Sequence, residues 1–220
     1  MNMFNKGLIA AALFATVATG ASAATITAAS ISFGPTATDF TAGPFAVPSF
    51  NSFATGGTLN AVGVALSASY TTAISATNKA TTSQSETLNL SGNVSLASSN
   101  PSLNNLAIGV TIPPTSFNNV PSGATVTAGP TTSNGSNLFL LAPSDFVSNS
   151  STFTASTLTG QSAIGGGGNF TNNFTTTAAG TAVVTYNYTP ASTAVPEPAS
   201  MALIGAGLAG LGLLRRRKAA

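Results

Sequence analysis

The chain has 220 residues, of which 5 % are charged and none is Cys, His or Trp. A typical soluble domain carries about 25 % charged residues, so this is not the surface of a cytosolic enzyme. Without Cys and His, disulfides, thiolate and imidazole metal sites, a Cys nucleophile and every His-based catalytic triad are excluded.

The formal charge of +2 comes from the ends. Lys6 stands near the start, and Arg215, Arg216, Arg217 and Lys218 stand near the finish. Between them Lys79 faces Asp39, Glu86, Asp145 and Glu197, so the body is weakly acidic. Neutralising phosphates takes clustered Lys and Arg on one face, so a nucleic-acid partner is excluded.

Residues 1–23 have the three parts of a secretory signal peptide. Lys6 supplies the positive region, Leu8 to Ala18 the apolar helix, and Ala21-Ser22-Ala23 the small residues ahead of a cut. Signal peptidase accepts small side chains at the first and third places before the bond it cleaves, here Ala23 and Ala21. The mature chain is therefore expected to begin at Ala24, after delivery to the Sec translocon.

Residues 24–192 alternate at the period of a β-strand. Val62, Val64, Leu66, Ala68, Tyr70 and Ile74 fall on one face of a first run. The same period holds for Leu88, Leu90, Val94 and Leu96, for Leu106, Ile108, Val110 and Ile112, and for Ala182, Val184, Tyr186 and Tyr188. Ser and Thr fill many alternate positions, as suits a solvated sheet face. Turn signals are Thr55-Gly56-Gly57, Ser99 to Ser102, Pro113-Pro114, Ser133 to Ser136 and Gly165 to Gly168. The pattern predicts a single all-β domain, antiparallel and sandwich-like. Its expected core is built on Phe33, Phe40, Phe45, Phe50, Phe53, Phe139, Phe146, Phe153, Phe170 and Phe174.

This domain offers little chemistry. Paired-carboxylate hydrolysis needs two carboxyl groups about 5 to 9.5 Å apart, and the candidates are Asp39, Glu86 and Asp145, all in Ser/Thr/Asn-rich surroundings. Asp145, in Leu-Ala-Pro-Ser-Asp-Phe, reads as a turn residue and Glu86 as a charge that keeps a strand soluble. No catalytic residue, metal site or cofactor is expected. Two roles remain open: a structural matrix protein among exopolysaccharide, or a carbohydrate-binding adhesin or lectin-like module. The second would use Tyr70, Tyr186 or Tyr188, whose rings cover sugar C–H groups while their hydroxyls bond outward. Solvent-facing tyrosines would favour binding, and buried ones the matrix role.

The tail begins with a linker, residues 193–198. Residues 199–214 follow as sixteen positions without a charge, which as a helix span about 24 Å. A hydrocarbon core is about 30 Å thick, so the predicted membrane helix spans it with help from snorkelling Arg215, Arg216, Arg217 and Lys218. Residues 215–220 form a basic tail that the positive-inside rule holds in the cytoplasm. Gly205-Ala206-Gly207-Leu208-Ala209-Gly210 matches the spacing of a dinucleotide fingerprint. It lacks the preceding strand and the acidic residue about 20 positions on, and reads instead as a close-packing face of the membrane helix.

Pro196-Glu197-Pro198, an apolar helix and Arg215 to Lys218 in that order resemble the PEP-CTERM sorting signal of Gram-negative bacteria. The resemblance implies that an exosortase, a membrane-embedded protease-transpeptidase, reads Pro196, Glu197 and Pro198, removes the tail and passes the protein from the inner membrane to the cell surface or extracellular matrix. The two prolines fit that role by holding the backbone extended and unpaired. The body resembles the choice-of-anchor E domain in the stretch from Ile31 to Ser52, in Gly57 to Tyr70, in Leu141 to Ser148 and in Thr181 to Ala191. That likeness implies export and a β fold, and no activity.

Overall fold

The computed structural model describes residues 22–53, 56–101, 103, 106–191 and 205–208. Eight strands run in order: β1 (Ala24–Ala37), β2 (Thr41–Val47), β3 (Thr58–Asn78), β4 (Gln84–Ser98), β5 (Leu106–Val120), β6 (Thr125–Leu141), β7 (Ser151–Gly165) and β8 (Phe170–Thr189). Short 3-10 turns lie at Phe50–Phe53, Pro143–Asp145 and Gly166–Gly168.

The strands make two four-stranded antiparallel sheets, ordered β1-β8-β3-β6 and β2-β7-β4-β5. Pairs β1·β8, β2·β7, β3·β6 and β4·β5 arise if the chain folds as one long hairpin with its tip between β4 and β5. Pairs β3·β8 and β4·β7 then join the hairpin to itself as it rolls. This is the strand order of an eight-stranded jelly roll, a sandwich built of two Greek keys.

The predicted rows become the core. Val62, Val64, Leu66, Ala68, Tyr70, Ile74 and Ala76 are all buried on one face of β3. From the other sheet they meet Leu88, Leu90, Val94 and Leu96 of β4 and Leu106, Ile108, Val110 and Ile112 of β5, likewise buried. Phe33, Phe50, Phe146 and Phe153 are buried, while Phe40, Phe45, Phe53, Phe139, Phe170 and Phe174 are half-buried against them. Each large apolar side chain so buried contributes about 1.5–3 kcal/mol relative to exposure.

Proline sorts the strands. Every proline within a strand lies on a sheet edge: Pro35 in β1, Pro44 in β2, Pro113 and Pro114 in β5, and Pro130 in β6. The four central strands have none. A central strand uses its N–H groups on both sides, whereas an edge strand or bulge can lose one. Gly34-Pro35, Gly43-Pro44 and Gly129-Pro130 also coincide with register shifts in their ladders.

Two expected turns are corrected by this rule and by packing. Pro113-Pro114 lies inside edge strand β5, at a shift in its register with β4. Ser133 to Ser136 lies inside β6, where Gly135 runs close against β5: a Cβ there would sit 3.0 Å from Val110 Cγ2. The turns at Ser99–Pro101 and Gly165–Gly168 stand as expected.

β1 begins at Ala24, and Ala24 pairs with Tyr188, so the expected mature N-terminus lies beside the end of β8. Most of the two terminal segments falls outside the described residues. That holds for Ala21 and the rest of residues 1–21, for Pro196, Glu197 and Pro198, and for Arg215, Arg216, Arg217 and Lys218. Of the predicted membrane helix only residues 205–208 are described, and they are helical and exposed. Among the described residues no helix is long and apolar enough to cross a membrane.

Gly92, buried in β4, faces Tyr70 so closely that a Cβ would lie 2.7 Å from the ring. Gly92→Ala is expected to destabilise the domain by about 2 kcal/mol through overpacking. Urea unfolding measures this, and an unchanged midpoint would show that the ring yields without cost.

Candidate functional site

The tyrosines proposed for sugar contact turn inward. Tyr70 and Tyr186 are 0 % exposed. The Tyr70 hydroxyl donates to the Asn93 carbonyl at 2.6 Å, and the Tyr186 hydroxyl donates to the Pro48 carbonyl at 2.6 Å. Tyr188 is half-buried, with its ring 5.4 Å from that of Phe50. Phe50, Phe53 and Phe146 surround Tyr186 with ring centroids 6.0 to 6.1 Å away. The three rings therefore belong to the core cluster, and none is a free platform.

Burial pushes the Tyr186 phenol up to about 12, and burial likewise raises that of Tyr70. An unfolded tyrosine ionises near 10, so the folded state binds the proton more tightly. The resulting stability is complete below that value and is lost as the pH rises toward about 12. Thermal melts should therefore hold steady from neutral pH to about 10 and fall steeply above it, and Tyr186→Phe should flatten the fall.

The carboxylates separate into three environments. Asp145 ends the 3-10 turn Pro143–Asp145, the turn role expected for it. Glu86 does not stand in solvent: it is 6 % exposed, on the inward row with Leu88 and Leu90. The strand alternation fixes that placement, since Glu86 lies two positions before Leu88. Asn172 Nδ2 donates to Glu86 Oε1 at 3.0 Å, and Glu86 Oε2 and Asn172 Oδ1 are both buried without a partner. The pair is short of one donor. Glu86→Gln supplies it, and should raise stability by about 1 kcal/mol, whereas Glu86→Ala strands Asn172 and should lower it by about 2 kcal/mol. Chemical denaturation of both variants checks the sign.

Asp39 lies where the chain crosses from β1 to β2. It holds a left-handed backbone, φ 66°, uncommon for a residue other than glycine. Its Oδ1 accepts from the Thr159 N–H at 2.8 Å and from Thr159 Oγ1 at 3.4 Å. Neighbouring bonds pin the crossing to both sheets: the Thr38 N–H donates to the Thr176 carbonyl of β8, and the Thr157 N–H of β7 to the Phe40 carbonyl. Thr159 pairs with Gly92, six positions along β4 from Glu86, a separation of about 20 Å at strand rise. Asp39 and Glu86 therefore do not face each other across the distance that paired-carboxylate hydrolysis needs.

Beside this crossing the two sheets part, leaving a cleft of about 480 Å³. Thr159 and Gln161 of β7 line one wall, Asn172 and Thr175–Thr177 of β8 the other, and Asp39 the mouth. Leu90 and Phe174 supply its apolar surface. The sequence marks Asp39, but Gln161 and Asn172 escape notice because each falls among ordinary Ser/Thr/Asn repeats. Only the alternation of β7 and β8, carried past their apolar residues, points both inward. No group of three or more Asp or Glu suited to a metal ion occurs among the described residues.

No curated protein matches the chain. Among solved structures, a chain in the crystal structure of the T13 IBDV viral particle shares 11 % identity with a TM-score of 0.21, over 88 % of this chain and 47 % of that one. A chain in the structure of the infectious bursal disease virus Gx strain shares 13 % identity with a TM-score of 0.20, over 88 % and 49 %. The chain thus spans about half the length of these viral chains, and likeness at such scores carries no argument. The tail is different: residues 194–218 match the PEP-CTERM protein-sorting motif. They contain Pro196-Glu197-Pro198, the apolar run and Arg215 to Lys218 in order. The protein therefore carries a PEP-CTERM sorting motif behind a β-sandwich body.

Proposed function

We propose that this is an exported, non-catalytic protein of the cell surface or extracellular matrix, sorted and cleaved by an exosortase of a Gram-negative inner membrane. The observation that carries the reading is the matched motif at residues 194–218. In this scheme Arg215, Arg216, Arg217 and Lys218 stop transfer, the apolar run lodges in the bilayer, and Pro196, Glu197 and Pro198 present the extended stretch that is read. Signal peptidase cuts after Ala23, and the body is a choice-of-anchor E-like module among exopolysaccharide.

The fold supports the scheme through the placement of its ends. β1 starts at Ala24 and β8 stops at Thr189. Both proposed cuts thus fall outside the sandwich, and removing the two segments takes away none of the eight described strands. Only seven positions separate Thr189 from Pro196, about 24 Å when fully extended. The body is therefore held close to the membrane until the tail is cut.

Intact-mass measurement on protein from the native host tests the scheme. The expected wild-type species begins at Ala24 and lacks Arg215 to Lys218. Glu197→Ala and Pro196→Ala should leave an unprocessed membrane form heavier by the helix and its arginines, with the surface or released form reduced several-fold. A wild-type protein that keeps Arg215 to Lys218 in a host carrying the exosortase would refute sorting and leave a plain membrane anchor.

A further inference from the structure

We propose that the cleft between β7 and β8 is a binding site for a neutral saccharide unit, such as a chain end or side branch of a surface polysaccharide. The choice of ligand class rests on four properties of the cleft. Its volume of about 480 Å³ lies in the range of small-ligand sites, about 300–1,000 Å³. Its polar groups are uncharged apart from Asp39, which excludes anionic ligands. Lys79 is the one cationic side chain among the described residues, and it does not line the cleft.

The groups available also match a sugar in kind. Gln161 offers a donor and an acceptor, and makes no side-chain hydrogen bond among the described residues. Asp39 uses Oδ1 to hold Thr159, which leaves Oδ2 to accept from a ligand hydroxyl. Asn172 and Thr176, which share the inward row of β8, stand on the opposite wall. Leu90 and the half-buried Phe174 provide an apolar patch for the C–H face of a pyranose ring. A purely apolar ligand would leave these polar groups unpaired. A polyol with one apolar face satisfies both parts.

The backbone at the mouth fits a binding role. Asp39 holds its left-handed conformation while being tied to β7, and the flanking bonds tie the same crossing to β8. Strained non-glycine residues cluster at ligand sites, because the surrounding structure must hold them in place. Here the bonds aim a carboxylate at the opening between two sheets. Asn172, on the wall, is in turn oriented from behind by Glu86.

This inference rests on the surface-exposed reading only for the supply of ligand, so the two fail separately. The test is saturation-transfer NMR on purified mature protein. The probes are neutral exopolysaccharide from the host and the mono- and disaccharides of its hydrolysate, at millimolar sugar. Wild type and the surface control Leu140→Trp should give equal signals, since Leu140 is 76 % exposed on β6, away from the cleft. Gln161→Trp, which fills the cleft, should weaken binding at least tenfold, and the milder Asp39→Asn at least threefold, with melting temperatures recorded for each. No transfer from wild type to the sugar, or equal transfer from Gln161→Trp, overturns the site. Intact mass reports sorting independently, so a saccharide signal with an uncut tail would sink the sorting scheme alone.

Discussion

The ladder between β3 and β8 is the interaction on which the rest of the molecule depends. It runs from Thr58 opposite Thr189 to Asn78 opposite Phe170, and joins residues about 90 to 130 positions apart in the chain. These are the two inner strands of their sheet, so β1 and β6 can be added only to their flanks. The ladder also places the inward rows that contain Tyr70 and Tyr186, whose hydroxyls reach across to Asn93 and Pro48. Closing so long a loop costs entropy that grows only as the logarithm of its length, and twenty residues of pairing with two buried rows offset it. Because β8 is the last of the described strands, the sandwich is complete only when the chain as far as Thr189 has crossed the membrane. Pro196 of the sorting motif stands seven positions later, so in the proposed scheme the tail is cut from a body that already has its eight described strands.

A surface with so few charges needs another way to keep sheet edges from pairing with other chains. Natural sheets often place Lys on an edge, but this chain has one Lys between its terminal segments. Its edges carry proline instead. Pro35, Pro44, Pro113, Pro114 and Pro130 each remove a donor from an edge strand, and all five stand at register shifts that disturb the ladder. On one side of the sandwich β5 and β6 also approach closely, as the crowding of Gly135 by Val110 shows. The opposite side has no such closure. There the crossing through Asp39 bridges the sheets, and beside it lies the cleft.

This division explains what could be read from residues alone. The alternation in β3, β4, β5 and β8 is visible because large apolar side chains fill the inward positions, as in Val62 to Ile74. In β7 the inward row is Phe153, Ala155, Thr157, Thr159 and Gln161, which becomes too polar to register as a face. β1, β2 and β6 are broken by Gly-Pro pairs that resemble turns, although the edge position of these strands makes such pairs tolerable. The error on Glu86 has a different origin, because its parity with Leu88 and Leu90 already placed it inside. Charge suggested solvent, and the pairing with Asn172, distant in sequence, was not visible. The cleft needs Asp39, Thr159, Gln161 and Asn172 from separate segments, and topology alone brings them together.

In the proposed scheme, location and saccharide binding reinforce each other. A polar cleft without a free tyrosine ring has little desolvated aromatic surface to contribute, so the affinity proposed for one sugar unit is low. Much of the cost of association is the loss of translational freedom, and a protein held at the surface has already lost part of it. Against an anchored polymer the effective concentration reaches about the millimolar range for a short tether. Weak contacts then suffice to retain the protein in a matrix, and strong ones would be unnecessary. A chain stripped of His and Cys gives up most catalytic chemistry, but retention of this kind requires only hydroxyls, amides and one oriented carboxylate. The sorting tail determines where those groups are delivered, and the rolled hairpin determines how they face each other.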